Sequence, residues 1–454
     1  MSREAMTEWL PESFLPSLLP ATDYPSSRTL RRYLKRFYGA GEGEKRGEGV
    51  LSRSVIRRIE AQVFQTLLKK GIDPRWMLFD TTNFFADHQG SRLMRRAHSK
   101  QKRYDKLQAG LGLVTLGDLP VLSEVYPANE RDAKVFARVF ESLVKRLVDL
   151  DVATDQLIMV FDRGINSKDN FETAREAMHV IAALNRQQAQ KLFRVPSEEF
   201  EEVGKDSEGK TVKGFSTRWF GFEQDWRVLI TYRQNRAEHE EKTWNEIRSR
   251  VLTQVEAWRK HPFPKEQALW AKLTRLIPKP FQAESEVCLE TVKGMRKGKE
   301  VPGYLPVVRV LPEAEERLRT SFGKTAIITD LETPDLPNAK LVEGFVARAG
   351  VEEDFKWLKD RHMVSVKPFW VWHDATVAGH TFLCEWAPVA PLPAVGAGDL
   401  DLSMKELVDG LEKIRVVQVR GKEGKPETVL ERVSRRGAQL FTRLNLGRYI
   451  PGSG

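Results

Sequence analysis

Residues 156–171 are QLIMVFDRGINSKDNF, and this stretch decides the fold. It opens with an apolar run that ends on Asp162 and is typical of a central strand buried on both faces. A short polar segment follows, and the next residues predict a helix from about Lys168 to Met178. A buried strand that leads directly into a helix is a building block of α/β sheets. The stretch therefore predicts an α/β core in which Asp162 marks the end of a strand.

Apolar runs on both sides of this stretch predict further strands of the same sheet. They are WMLFDTT at 76–82, LQAGLGLVTL at 107–116, LPVLSEVY at 119–126 and HVIAAL at 179–184. Between the third run and residue 156, apolar residues from Val135 to Leu147 recur at helical spacing. The order of three strands, a helix, a strand, a helix and a strand predicts a mixed α/β sheet with helices on its faces.

Outside this core the patterning changes several times. Two amphipathic segments near residues 26–39 and 52–70 predict a helical N-terminal region. Short alternating strands and a charged helical segment near Lys242–Lys260 predict a β-rich insertion. The predicted organisation is an N-terminal DNA-binding or dimerisation region at 1–70, a first part of the core at 71–184, the insertion at 185–340, the rest of the core at 341–390 and a C-terminal region at 391–454.

Composition favours a nucleic-acid partner and a reducing compartment. The chain has 73 Lys and Arg against 63 Asp and Glu, a formal charge of +10, which favours a polyanion. Two distant cysteines, Cys288 and Cys384, exclude a disulfide framework and a cysteine-rich zinc module. The N-terminus has no apolar core of a signal peptide, and no apolar window is long enough to span a bilayer. We therefore predict a cytoplasmic protein with no membrane partner.

Three acidic residues stand where a metal site would need them. Asp80 is predicted to end the first strand and Asp162 the strand beside it, and open α/β sheets build their sites at the carboxyl ends of neighbouring strands. Glu352 lies on a long helix predicted from about Leu341 to Asp360, which could aim a carboxylate at both aspartates. Carboxylates without His or Cys around them suit hard Mg²⁺, or Mn²⁺, better than zinc.

The same helix carries two basic residues in phase with Glu352. At about 100° per residue, Phe345, Arg348, Glu352 and Lys359 fall in a stripe roughly 60° wide. The adjacent Glu353 points about 100° away and is the weaker candidate ligand. If the stripe faces the sheet, Arg348 and Lys359 would hold DNA phosphates. The alternative is an ordinary surface ion pair between Arg348 and Glu352.

Several blocks of the sequence resemble the DDE transposases of bacterial insertion sequences, in the insertion-sequence-four superfamily. VFDRGINSKDNF is similar to the family's aspartate-arginine-glycine signature, which is matched by Asp162, Arg163, Gly164, Ser167 and Asn170. The helix stripe has the spacing of the family's tyrosine-arginine-glutamate-lysine signature, with Phe345 in place of tyrosine. Phe345 cannot make the hydrogen bond of a tyrosine hydroxyl.

The resemblance covers roughly Arg75 to Trp386, with the blocks in the family's order. LFDTTNFF resembles the segment around the first aspartate. SKQKRYDKLQAGLGLV resembles the following block and keeps Ser99, Lys100, Arg103, Asp105 and Gln108. YPANERD comes next, with Ala128 where the family usually has glycine, and Lys367 stands where relatives often have arginine.

The resemblance implies an RNase H-like catalytic core that performs cut-and-paste DNA transposition. Asp80, Asp162 and Glu352 would be the catalytic residues and would hold Mg²⁺. The residues that would contact DNA are Arg163, Arg348, Lys359, Lys100, Arg103 and Trp219, the last by stacking on an extruded base. The partners would be terminal inverted repeats and target DNA, and the pairing of two ends implies a homodimer.

Alternatives stay open at this point. A hydrolytic nuclease with the same core would use the same acids and never join DNA ends. A catalytically silent DNA-binding descendant of a transposase would use only the basic surface. Arg163 suits a partner for an acid at the strand end as well as it suits DNA contact. The Arg31–Arg36 cluster suits either a solvated helix face or a reader of terminal repeats, and His380 is interpreted as a packing residue.

Overall fold

A computed structural model describes most of the chain. The described residues are 26–37, 53–87, 89–97, 103–117, 119–206, 209–296, 299–360, 366, 369, 371–386, 416–420, 426–430, 438 and 442. The chain divides into two compact units, Met1–His179 together with Ala347–Gly454, and Val180–Val346. The predicted domain boundaries at 70, 184, 340 and 390 stay predictions.

Helices and strands alternate along the described chain. Those up to residue 205 are α1 (Ser27–Phe37), α2 (Ser54–Lys69), β1 (Trp76–Ala86), β2 (Leu107–Leu116), β3 (Leu119–Pro127), α3 (Asp132–Asp149), β4 (Ile158–Phe161), α4 (Lys168–Arg175), β5 (His179–Ala183), α5 (Arg186–Ala189) and β6 (Glu201–Lys205). Those that follow are β7 (Thr211–Gly221), β8 (Gln224–Tyr232), α6 (Gln234–Arg259), α7 (Glu266–Leu276), α8 (Lys279–Gln282), β9 (Ser285–Arg296), β10 (Lys299–Val310), α9 (Pro312–Arg319), β11 (Lys324–Thr329), α10 (Asn338–Lys359), α11 (Asp374–Trp386), β12 (Val416–Arg420) and β13 (Pro426–Leu430).

The sheet of the first unit has the strand order β3-β2-β1-β4. β1 pairs antiparallel with β2 and parallel with β4, so the predicted mixed α/β class is confirmed. The antiparallel pairing continues to Ala86, whereas the parallel pairing ends at Phe79 opposite Phe161. The prediction that Asp80 ends a strand is therefore wrong, because β2 supports β1 for six residues beyond it while β4 stops.

One face of this sheet is closed by aromatic packing against α3 and α4. The ring of Phe136 on α3 lies 5.2 Å from that of Phe79 and 5.0 Å from that of Phe161. Phe161 in turn lies 5.4 Å from Phe171 on α4. These four rings are nearly fully buried, and each such side chain contributes about 1.5–3 kcal/mol of burial free energy. The apolar residues that predicted the strands and helices thus form one core.

The N-terminal helices are fixed to the first unit in two ways. On α2, the fully buried carboxylate of Glu60 receives Arg146 Nη2 from α3 at 2.6 Å and the backbone N–H of Ser123 from β3 at 2.9 Å. On α1, the ring of Phe37 packs 5.7 Å from that of Phe382 on α11. A helical N-terminal region is therefore present, as predicted.

The second unit contains an antiparallel sheet and a helical cluster. The sheet order is β5-β11-β8-β7-β6. A second core packs α6, α7, α8 and α9 against the β9–β10 ribbon, with Trp244 stacked 5.2 Å from Phe281. The predicted strands of the insertion are present together with this cluster.

One predicted strand is in fact a hairpin. TRWFGFEQ at 217–224 contains the turn between β7 and β8, where Phe222 has φ 52° and Glu223 has φ 61°. Neither residue is a usual choice for a left-handed conformation, so the sequence held no turn signal. Among the described residues, no helix has both the length and the apolar character needed to cross a membrane.

Candidate active site

Asp80 and Asp162 occupy corresponding positions where the parallel pairing of β1 and β4 ends. Each follows one member of the last paired positions, Phe79 and Phe161. Because side chains alternate along a strand, Asp80 points away from the face that holds Phe79 and its aromatic neighbours. Its Oδ1 accepts the N–H of Thr81 at 2.7 Å. The register thus brings the first two predicted acids together on this edge of the sheet.

The loop after Asp162 is held by the serine and asparagine of its motif. Ser167 caps α4 by accepting the N–H of Asn170 at 3.2 Å. The buried amide of Asn170 donates to Ile165 O at 2.8 Å and to Ala133 O at 3.2 Å. These bonds tie the loop to α3 and fix the direction in which the chain leaves Asp162. Arg163 is exposed and forms no ion pair among the described residues.

Glu352 is linked to Asp162 through a single guanidinium. Arg348 Nη1 lies 2.7 Å from Asp162 Oδ1, and Arg348 Nη2 lies 3.9 Å from Glu352 Oε1. The arginine side chain is only 16% exposed, whereas Asp162 is 40% and Glu352 is 55% exposed. The predicted surface pair between Arg348 and Glu352 is therefore the longer of two contacts, and the shorter one joins α10 to the end of β4.

The end of α10 reaches the strand that carries Asp80. Lys359 Nζ donates to Thr82 Oγ1 at 2.5 Å. The same ammonium lies 5.9 Å from the ring centres of both Phe84 and Phe355. Thr82 is two residues beyond Asp80 and shares its side of β1. Lys359 thus fixes the position of α10 along the strand at the candidate site.

These contacts bring the three predicted acids to one region without forming a closed metal cluster. Among the described residues, no three His, Cys, Asp or Glu side chains are grouped closely enough to hold a metal ion. The donors that line this region are carboxylates, which suit a hard cation such as Mg²⁺. Their catalytic and metal-binding roles stay predictions, and the side chain of Glu353 lies outside the described residues.

A buried tyrosine and a fourth acid adjoin the site and were not singled out from the sequence. Tyr126 OH lies 3.3 Å from Asp132 Oδ1, and its ring packs against Gly110, where an added Cβ would come within 2.4 Å of it. Burial and the negative charge of Asp132 raise the pKa of Tyr126 above its usual range. Both residues belong to the YPANERD block, which was the signal that could have identified them.

The predicted DNA contacts of the second block are engaged locally. Arg103 makes two 3.0 Å bonds to Asp105 and covers the ring of Phe85 at 5.0 Å. The Arg103 guanidinium lowers the pKa of Asp105 to about 2, so both groups are charged at neutral pH. Gln108 is buried and donates to Ala97 O at 3.1 Å. Lys100 lies outside the described residues.

Trp219 lies at the tip of the β7–β8 hairpin in the second unit. Its half-buried ring is 5.6 Å from that of Phe222 and covers Gly221, where a Cβ would come within 2.0 Å of the indole. Phe220 beside it is 73% exposed. By contrast, Trp226 is fully buried and donates its indole N–H to Gly221 O at 3.0 Å. The tip therefore presents aromatic surface, and a stacking role for Trp219 stays a prediction.

His380 lies outside this cluster of acids. Its Nε2 is 3.1 Å from Val366 O, and its ring lies 5.9 Å from that of Phe369. These contacts fit the interpretation of a packing residue. Lys367 lies outside the described residues.

No protein-family model matches the chain, and no curated protein matches it. Among solved structures, a cryo-electron microscopy structure of the piggyBac transposase synaptic complex with hairpin DNA aligns over 91% of this chain and 66% of that chain, at 9% identity and a TM-score of 0.33. A Mos1 transposase paired-end complex with left transposon end aligns over 38% of this chain and 52% of that chain, at 15% identity and a TM-score of 0.16. This chain thus spans less than two thirds of either aligned protein.

Proposed function

We propose that this protein is a DNA transposase of the insertion-sequence-four type, with Asp80, Asp162 and Glu352 as its catalytic carboxylates. The observation that carries the proposal is the contact of Arg348 with both Asp162 and Glu352. It brings a glutamate from a distant helix to the two strand positions where the motif order demands it. The low-scoring structural alignments carry no part of the proposal.

The three carboxylates would hold Mg²⁺ or Mn²⁺. A divalent ion supplies an activated water and neutralises the charge that develops during phosphodiester cleavage. The site residues supply oxygen donors only, and the exposed carboxylates of Asp162 and Glu352 are accessible from solvent. This donor set fits the proposed ion.

The chain's own basic residues would place the DNA. Arg348 and Lys359 lie next to the carboxylates, so a phosphate held by them would be near the bond to be cut. The net charge of +10 would add affinity that does not depend on sequence. Two DNA ends held together would require two copies of the chain.

A cleavage and joining assay tests the proposal. The substrate is a linear duplex that carries the sequences flanking the gene on both sides, incubated with the full-length protein and a supercoiled target plasmid. With Mg²⁺ or Mn²⁺ we expect cuts at the element ends and joined products. With Ca²⁺, which accepts looser geometry, we expect binding with little cleavage.

Each outcome separates one function from the others. Joined products support transposition. Cleavage without joining supports a hydrolytic nuclease and contradicts the transposase proposal. Binding without cleavage under any of the three cations supports a catalytically silent DNA-binding protein.

A further inference from the structure

Arg348 competes for the oxygens that a divalent ion would need. Its bond to Asp162 Oδ1 is 2.7 Å long, a charge-assisted bond of ordinary strength, and the second carboxylate lies at the far side of the same guanidinium. A divalent cation bound to both carboxylates would repel a guanidinium at these distances. Arg348 must therefore leave Asp162 before the carboxylates can hold the ion fully.

A DNA phosphate is the group best suited to take Arg348 away. The planar guanidinium fork matches phosphate oxygens as well as carboxylate oxygens. The arginine side chain is long, so it can turn from one partner to the other while α10 stays in place. Lys359 secures the end of that helix through its bond to Thr82.

We infer that Arg348 is a latch that couples DNA binding to metal binding at this site. Without DNA, it holds Asp162 and Glu352 and weakens their affinity for a divalent ion. When a DNA phosphate binds Arg348, both carboxylates are released to the ion. The inference rests on the proposed function and adds a regulation to it: the site gains its metal when its DNA is present.

The latch has a reciprocal thermodynamic consequence. If DNA strengthens metal binding by a given factor, metal strengthens DNA binding by the same factor. Couplings of this kind are commonly about fivefold to a hundredfold. A charge that only adds to the general field of the site would not produce this dependence on DNA.

Mn²⁺ binding to the full-length protein, followed by electron paramagnetic resonance, tests the latch without requiring activity. It is measured with and without a short linear duplex for the parent, Arg348→Gln and Lys356→Gln. Lys356 is a matched control, because it is an exposed basic residue one turn beyond Glu352 on the same helix and its loss changes the net charge equally. Far-ultraviolet circular dichroism checks that each variant is folded.

We expect the duplex to strengthen Mn²⁺ binding of the parent by about tenfold or more. Arg348→Gln should bind Mn²⁺ that tightly without DNA and gain little from the duplex, and Lys356→Gln should behave as the parent. Equal or weaker Mn²⁺ binding in Arg348→Gln overturns the latch, as does an equal gain in Lys356→Gln. If Arg348→Gln does not fold, Arg348→Lys replaces it. That variant loses the fork, so it should still gain more than Lys356→Gln.

An Asp162→Asn variant separates failure of the latch from failure of the proposed function. If it binds Mn²⁺ as the parent does, Asp162 does not hold metal and the proposed function fails. If it loses Mn²⁺ binding while Arg348→Gln is unchanged, the site holds metal and only the latch is overturned.

Discussion

Two helices of the first unit carry basic residues in opposite surroundings. On α1, Arg28, Arg32 and Lys35 are exposed at successive turns of one face and form no ion pair among the described residues. On α10, Arg348 is 16% exposed and bonded to Asp162, and Lys359 is bonded to Thr82. The first set is open to any polyanion, whereas the second set is held within the candidate site.

The difference shows that basic residues at helical spacing do not by themselves define a DNA contact. An exposed basic face adds affinity by displacing counterions, and this contribution falls as salt rises. A partly buried cation bonded to carboxylates acts first on the position of those carboxylates. We therefore expect α1 to control affinity and α10 to control chemistry.

The largest expected effect is at the carboxylates that α10 meets. Asp162→Asn or Glu352→Gln should lower cleavage by at least a thousandfold, about 4 kcal/mol, because metal-based charge stabilisation is lost. Binding of the duplex should change little. Single-turnover cleavage and a mobility-shift titration measure the two quantities. Asp169→Asn, at an exposed acid on α4, is the control and should cleave at the parental rate. Full activity in either site variant would remove that residue from the site.

A buried ion pair should dominate the attachment of the N-terminal helices. Arg146→Ala leaves the Glu60 carboxylate buried without its guanidinium and should cost about 3–5 kcal/mol of unfolding free energy. Arg138→Ala removes an arginine that is 43% exposed and should cost about 0–1 kcal/mol. Chemical denaturation measures both. Equal losses in the two variants would show that burial of the pair does not matter.

A smaller effect is expected at Lys359. Lys359→Met keeps the apolar stem but removes the donor to Thr82, so α10 loses its fixed position on β1. We expect cleavage to fall by roughly tenfold to a hundredfold, since small misplacements of catalytic groups have costs of this order. Lys356→Met on the same helix is the control. If the salt dependence of binding also flattens by about one unit, Lys359 contacts a phosphate as well.

The smallest effect should come from α1. The double change Arg32→Gln and Lys35→Gln should flatten the log–log salt dependence of DNA binding by up to about two units, one for each lost phosphate contact. At saturating protein the cleavage rate should stay the same, because these residues lie on an exposed face. Binding across a salt series tests this. A lost cleavage rate at saturation would erase the distinction between the two helices.

Periodicity and apolar runs predicted most of the first unit. β2 matches its predicted bounds, and the long helix α10 matches to within a few residues, because both are strongly patterned. β10 was missed because Pro302 and Pro306 interrupt an otherwise strand-like run, and only its place as an edge partner of β9 accommodates them. The hairpin turn at Phe222 and Glu223 was missed because its backbone conformation is set by the strands around it.

At the candidate site, the sequence predicted which face of α10 matters but not what that face contacts. Helix phase placed Arg348, Glu352 and Lys359 in one stripe, which requires only local geometry. The bonds from Arg348 to Asp162 and from Lys359 to Thr82 depend on how a distant helix packs on the sheet. Such packing depends on the tertiary fold and leaves no mark in the spacing of residues.

Iron-mediated cleavage of the protein tests the central claim most directly, since it needs no knowledge of the DNA sequence. Fe²⁺ bound in place of Mg²⁺ generates hydroxyl radicals that cut the polypeptide near the metal, and the fragments are mapped by mass spectrometry. We expect cuts beside Asp80, Asp162 and Glu352 together, all suppressed by excess Mg²⁺ and lost in Asp162→Asn. Cuts beside only one of these residues, or cuts that Mg²⁺ does not suppress, would contradict a shared metal site.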